Sequence, residues 1–317
     1  MRIHMSETAW AILAHDTLVS KINSCMASTV EPMCDRRFRS MFGMTAKLCS
    51  WYWRQLVIKG LLPDAFKPER FLWTLHFLRV YNTEEVNCTM FGCSEKTFRK
   101  WIWEGIDAIG SLQLVSDMRT LFLLTYVFLT NISYKIKWEY RNHNRNQSIC
   151  RVTIDGSDFR ICEPAPFDRR WYSHKFHGPG LRYEIGVCIR TGWIVWICGP
   201  FAPGDWPDLN IARHRLAHKL DRGEKYLADG GYRNSDGNAE TPTGHKNRDQ
   251  RMKATARARH ETINGLMKKF AALRDTYRHN LNHHGRIFKA VANIVQAKIR
   301  HERATFQVDY NDRPTRP

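Results

Sequence analysis

The sequence predicts an all-α region followed by an α/β domain, and three observations carry that division. Up to about residue 140, apolar side chains recur at three- and four-residue intervals, as Phe71, Leu72, Leu75, Phe77 and Leu78 illustrate, with little β-branched alternation. From residue 151 the chain turns to short segments rich in β-branched and aromatic residues. Between the two, residues 142–148 (NHNRNQS) are polar and without period, which marks a linker. The expected division is a helical region over 1–145, an α/β domain over 150–303 and a tail over 304–317.

In the helical region, residues 83–110 read as a helix-turn-helix. Thr83 is placed to cap a short helix with Glu84 and Glu85 in its first turn. Gly92 offers the turn, and Ser94 caps a second helix whose apolar face is Phe98, Trp101, Ile102, Ile106 and Ile109. Lys96, Arg99 and Lys100 stand near its start, where recognition residues usually sit. An ordinary helical hairpin is the competing reading. The apolar stretch 121–130 is ten residues long, short of the roughly 20 a spanning helix needs, and reads as a buried helix.

In the α/β half, residues 151–161 (RVTIDGSDFRI), 182–190 (RYEIGVCIR) and 193–201 (WIVWICGPF) read as strands, the second and third joined by Thr191 and Gly192 as a hairpin. A helix over 208–220, a strand over 225–228, a loop over 230–247, a basic helix over 249–277 and a last helix over 286–300 follow.

The chain of 317 residues carries 49 Lys and Arg against 31 Asp and Glu, a formal charge of +18. A hydrophobic fraction of 43% with 11 Trp, 11 Tyr and 16 Phe excludes wholesale disorder. Such a charge seeks a polyanion, nucleic acid first and an anionic membrane surface second. Residues 1–150 hold 19 basic and 13 acidic side chains and residues 151–317 hold 30 and 18, so the α/β half carries most of the excess. Residues 1–10 show no basic segment leading into an apolar run, so no secretory signal is expected. Nine cysteines, odd in number and without a C-x-x-C pair, read as reduced thiols of a cytosolic or nuclear protein. The sequon-like triplets at Asn87, Asn131 and Asn146 then carry no meaning.

Three carboxylates hold the chemistry. Asp155 lies within the first strand, Asp229 at the exit of the fourth and Glu261 within the basic helix. If the first and fourth strands are neighbours, Asp155 and Asp229 converge on one edge, and an incoming helix adds Glu261. Carboxylates gathered this way repel one another unless a divalent cation neutralises them, and oxygen ligands suit Mg²⁺ or Mn²⁺. Two such ions can activate a water or a 3′-hydroxyl and stabilise the leaving oxygen of a phosphodiester. A lone Asp at a strand end is often a turn former, and Glu261 alone would read as an ion-pair partner of Arg257 or Arg259. For Asp155 the neighbours Val152, Thr153 and Ile154 argue for a strand interior, where an unpaired carboxylate is costly.

These blocks resemble the DDE transposase nuclease domain of the ribonuclease-H-like superfamily, most closely the PIF/Harbinger-type DDE endonucleases. The matching blocks are Ile154-Asp155-Gly156, WYSHKFHGPGLRYEIGV (171–187), PFAPGDWPD (200–208), LADGGYR (227–233) and ARHETINGLMKKFAALR (258–274). They cover about half the chain, in the order the fold requires. The resemblance implies a mixed sheet flanked by helices and a metal-dependent endonuclease that cleaves, and in some members strand-transfers, DNA at transposon ends. It implies Asp155, Asp229 and Glu261 as ligands of Mg²⁺ or Mn²⁺, two ions in all. Asp208 resembles a further acidic position of the family and is the secondary candidate. Asp158 and Glu240 are the rivals. Strand alternation turns Asp158 away from the Asp155 face, and Glu240 lies in a Pro/Gly loop without a helix to fix it.

Double-stranded DNA is the expected partner. Residues 246–278 hold ten basic side chains, among them Arg257, Lys268 and Lys269, against three acidic ones. Such cations position phosphates without reading bases. Residues 171–182 interleave Trp171, Tyr172, Lys175, Phe176 and Arg182, a composition suited either to stacking on distorted DNA ends or to a hydrophobic lid. His214 with His218, and His283 with His284, lack a third metal ligand and read as surface or DNA-facing residues. No P-loop, G-x-S-x-G elbow or dinucleotide fingerprint is present. The family resemblance adds a Myb-like partner protein, a homo-oligomeric active complex and a nuclear location, with the cytoplasm as the other compartment. The competing function is a domesticated, non-catalytic DNA-binding or scaffold protein. Binding to membrane surfaces leaves the ordered acidic triad unexplained.

Overall fold

The computed structural model describes residues 5–20, 32–112, 138–142, 148–233, 236–243, 247–302 and 304–310. The expected apolar helix over 121–130, most of the linker, Asn131, Asn146 and Lys246 lie outside them. In chain order the elements are helices α1 (Glu7–His15), α2 (Asp35–Phe42), α3 (Ala46–Ile58), α4 (Pro68–Val80), α5 (Glu84–Phe91) and α6 (Glu95–Ser111), then strands β1 (Cys150–Arg160), β2 (Tyr172–Ser173), β3 (Gly178–Cys188) and β4 (Ile194–Phe201). Helix α7 (Asp208–Ile211), strands β5 (Lys225–Leu227) and β6 (Ala239–Glu240), and helices α8 (Arg248–Met267), α9 (Ala271–Arg274) and α10 (His284–His301) complete the chain.

The chain divides into two compact units. One comprises Met1–Gln113, Met267–Asp275 and His279–Arg303, the other Leu114–Leu266, Thr276–Arg278 and Ala304–Pro317. Residues 267–275 and 279–303 therefore group with the N-terminal helices, although composition assigns them to the α/β half. The reason is burial: α10 hides Ile287, Phe288, Val291, Ile294 and Val295 and packs against α6. Asn293 Nδ2 locks that pair by donating to the carbonyls of Ile109 and Gly110 at 2.9 and 3.1 Å.

In the helical unit α4 is central, with Phe71, Leu72, Leu75, Phe77 and Leu78 all buried. Trp10 meets Trp53 and Phe71 edge-on at centroid distances of 5.6 and 5.8 Å. The expected caps form: the Thr83 and Ser94 hydroxyls accept from Val86 N and Thr97 N, and Gly92 ends α5 in the left-handed conformation. Phe98, Trp101, Ile102, Ile106 and Ile109 are the buried residues expected of α6.

The α/β unit is built on a mixed sheet ordered β2-β3-β1-β5-β6, with β4 also on β3. Strands β1 and β3 are antiparallel, as are β3 and β4, whereas β1–β5 and β5–β6 are parallel. Gly192, at φ +72°, makes the β3–β4 turn, a conformation that side-chain-bearing residues resist. One sheet face carries Val152, Ile154, Tyr226 and Ala228 against Trp138, Val195, Trp196, Ala212 and Leu216. The other carries Leu227 against Ala256 of α8. This mixed sheet with flanking helices is consistent with the ribonuclease-H-like fold.

Several elements differ from the sequence expectation. Strand β3 begins at Gly178, because the Gly178-Pro179-Gly180 run pairs with β2 and β1 instead of forming a loop. Glu240 is fixed after all: it ends β6, and its carboxylate takes Lys225 at 2.8 Å and Lys253 at 3.3 Å. The basic helix stops at Met267, and a separate short helix, α9, buries Ala271, Ala272 and Leu273. The expected helix over 208–220 is four residues of α-helix followed by a π-helical and a 3₁₀ turn. The segment 304–310 is no loose tail, because Val308 joins the cluster of Cys150, Ile189, Leu227 and Ala256. At the linker's flank Arg141 forms a buried pair with Glu224 at 2.8 Å. The eight described cysteines are free thiols. Among the described residues no helix is long and apolar enough to cross a membrane.

Candidate active site

Strand register brings two of the acidic residues together. Thr153 of β1 pairs with Leu227, the last residue of β5, in parallel, and Asp229 follows just beyond that strand, near enough for its charge to act on Asp155. Asp155 follows the parity of Thr153 and so faces α8. Helix α8 is tied to that face by polar contacts. His260 Nδ1 meets Thr153 Oγ1 at 2.8 Å, and Asn264 Nδ2 donates to Asp155 Oδ2 at 2.8 Å. Glu261 stands one residue after His260 and one helical turn before Asn264, which brings it to the same rim.

The electrostatics agree with this grouping. Burial, with the charges of Glu261, Asp208 and Asp229, pushes the Asp155 carboxyl up to about 6, against the pull of Lys175. Asp229 and Glu261 are exposed and Asp155 is half-buried. Glu261 forms no ion pair among the described residues. Arg259, one of its expected partners, is buried and donates to the carbonyls of Cys188, Ile189 and Phe306. Arg257, the other, is half-buried and feels Asp229.

The opposite sheet face holds a second polar cluster. Arg182 forks onto Asp158 at 2.7 and 2.8 Å and reaches Asp208 Oδ1 at 3.3 Å. Burial alone would raise the Asp158 carboxyl, yet the hydrogen bonds from Arg182 and Ser173 outweigh it and hold it below the carboxylate range. Asp158 thus lies on the face that alternation assigns it. Asp208, first residue of α7, lies over Gly156, where a Cβ would fall 2.0 Å from its Oδ1. Lys175 Nζ donates to the Gly156 carbonyl and stands 3.5 Å from Asp208 Oδ2. Glu184 is buried beside this cluster, takes Trp196 Nε1 at 2.9 Å, and is pushed up by burial to about 8.

The cations expected to meet DNA are placed unevenly. Arg182 is only 8% exposed and its guanidinium is engaged, which leaves little of it for a phosphate. Lys175 keeps an exposed flank. In the helical unit Lys96, Arg99 and Lys100 are exposed, though Arg99 is held by Glu84 at 3.0 Å and Lys100 lies 4.6 Å from the Trp101 ring centroid. Lys268 and Lys269 are exposed, and the Lys269 carbonyl accepts from Arg79. His284 is no surface residue: burial at the start of α10 pushes it down to about 3.

Sequence reasoning missed Asn264, Arg182's burial and Glu184. For Asn264 a signal existed, because a polar residue one turn from Glu261 lies between apolar Ile263 and Leu266.

Among the described residues no three carboxylate, thiol or imidazole groups sit close enough to hold one metal ion. The donor chemistry still suits a hard divalent cation. Three carboxylates share one rim, and Asn264 Oδ1 beside them is buried and takes no hydrogen bond. Such a cation would be held by Asp155, Asp229 and Glu261.

Residues 154–296 match the family described as DDE superfamily endonuclease. No curated protein and no solved structure gives a match. The matched span begins inside β1 and ends inside α10, so it contains every acidic residue of the candidate site.

Proposed function

We propose that this chain, whose residues 154–296 carry a DDE-type endonuclease domain, is a metal-dependent DNA endonuclease or transposase of the PIF/Harbinger type. The observation that supports the reading is that β1 and β5 are parallel neighbours with Thr153 opposite Leu227, two residues before Asp155 and Asp229, while Asn264 of α8, one turn from Glu261, reaches Asp155. In this reading residues 150–303 act together as the nuclease domain, and α5 and α6 serve as a helix-turn-helix reader of double-stranded DNA. Bound Mg²⁺ or Mn²⁺, two ions in the full site, supplies the charge that activates a water or a 3′-hydroxyl and stabilises the leaving oxygen.

The chain's own residues would do the rest. Asp155, Asp229 and Glu261 would hold the metal, while Lys175, whose charge acts on Asp155 from the other side of β1, keeps an exposed flank for a phosphate. Asp208 stands on the other sheet face with Arg182 and Lys175, so it supports β1 from behind. Strand transfer by a 3′-hydroxyl, a Myb-like partner, a homo-oligomeric complex and a nuclear location follow from the family resemblance.

Nicking of duplexes bearing terminal inverted repeats, run with Mg²⁺, Mn²⁺ or EDTA, tests the reading. Asp155→Asn and Glu261→Gln should reduce cleavage to the EDTA level, and unchanged cleavage by either would refute it. One observation favours the competing reading of a non-catalytic DNA-binding or scaffold protein. Without an added cation, the described carboxylates do not close into a three-ligand group. Metal-independent DNA binding without any nicking would support that reading.

A further inference from the structure

We propose that Asn264 is a positioning residue of the acidic site, orienting Asp155 and adding a neutral oxygen toward a hydrated divalent cation. The inference rests on the endonuclease reading above and names a residue beyond its three carboxylates. Asn264 is only 5% exposed, and its Nδ2 donates to Asp155 Oδ2 at 2.8 Å. That bond ties Oδ2 of Asp155 to α8. The other end of the amide is unsatisfied: Oδ1 of Asn264 is buried and accepts no hydrogen bond. A buried carbonyl without a donor is costly, so the arrangement stabilises the fold poorly by itself. It becomes economical when a donor or a cation arrives at the rim where Glu261 stands.

Neighbouring contacts direct the amide to that role. His260 Nδ1 meets Thr153 and Arg259 donates to the Cys188 and Ile189 carbonyls, whereas Asn264 on the same stretch of α8 hydrogen-bonds an acidic residue of the site. Groups that orient metal ligands typically change metal affinity about 10–100-fold when removed.

The test is Mn²⁺ binding to the full chain without DNA, followed by electron paramagnetic resonance, alongside thermal unfolding. Asn264→Ala removes both amide atoms. Asn264→Leu does so at similar volume, deleting the unsatisfied oxygen together with the donor to Asp155, so it separates lost metal binding from a cavity. Both variants should weaken Mn²⁺ binding about 10-fold or more while Asn264→Leu still unfolds in a cooperative thermal transition. Wild-type binding that Asp155→Asn abolishes but Asn264→Leu leaves intact would overturn the inference while sparing the endonuclease reading. Absence of any carboxylate-dependent Mn²⁺ site in the wild type would overturn both.

Discussion

Replacing Gly156 by Ala should destabilise the α/β unit through one identifiable collision. The added methyl would lie 2.0 Å from Asp208 Oδ1, 2.5 Å from its Cγ and 2.9 Å from Oδ2. Asp208 cannot simply swing away, because Arg182 Nε stands 3.3 Å from one oxygen and Lys175 Nζ 3.5 Å from the other. An alanine in an unhindered strand would gain about 0.5–1 kcal/mol over glycine. Forcing a methyl into a packed site costs about 1–3 kcal/mol. The net expectation is a loss of about 1–2 kcal/mol, or roughly 2–8 °C in the unfolding midpoint of a unit this size. The decisive assay is a double-mutant cycle by urea denaturation. In an Asp208→Ala background the obstacle is gone, so Gly156→Ala should become neutral or stabilising, with a coupling of about 2 kcal/mol. An equal cost in both backgrounds would refute the reasoning, since the collision would then not be with Asp208.

Three further outcomes follow from the same contacts. Arg182→Met strands Asp158 in the interior and should cost about 3–5 kcal/mol in urea denaturation, whereas a surface role for Arg182 predicts less than about 1. Asp155, pushed up to about 6, keeps its proton to higher pH in the folded protein than in the unfolded chain. Its contribution in metal-free protein is therefore full below about pH 4 and lost as pH rises through about 6. Asp155→Asn should exceed the wild type by up to about 3 kcal/mol near pH 7.5, and the gap should close near pH 4. A pH-independent difference would contradict the burial and carboxylate clustering invoked for Asp155. In the helical unit, Lys96→Ala and Lys100→Ala should each lower the slope of log binding constant against log salt by about 1 if α6 meets DNA phosphates. Unchanged slopes would remove α6 from the interface.

Much of the α/β framework is legible in residue order, because β-branched runs, a Thr-Gly turn and helix caps are local signals. The strand at Asp155, the hairpin at Gly192 and the paired caps at Thr83 and Ser94 illustrate it. What escapes the sequence depends on partners far along the chain. The Gly-Pro-Gly opening of β3 looks like a loop until β2 and β1 pair with it, and β6 is two residues whose pairing is set by β5. Helix α8 ends at Met267 although residues 271–274 are again helical, a break that residue order does not mark. In the site, Asp155 is readable as a carboxylate inside a strand and Asp229 as one at a strand exit, whereas Arg182 reads as a DNA contact until Asp158 and Asp208 claim it. Asn264 escapes notice because its one local signal, an amide a turn from Glu261 beside Ile263, does not say which carboxylate it meets.

Anomalous diffraction from crystals grown with Mn²⁺ shows whether Asp155, Asp229 and Glu261 share a divalent cation. The expected result is an anomalous peak with carboxylate oxygens of all three residues at a little over about 2 Å. A peak elsewhere, or a saturated crystal in which the three carboxylates remain apart, would contradict it.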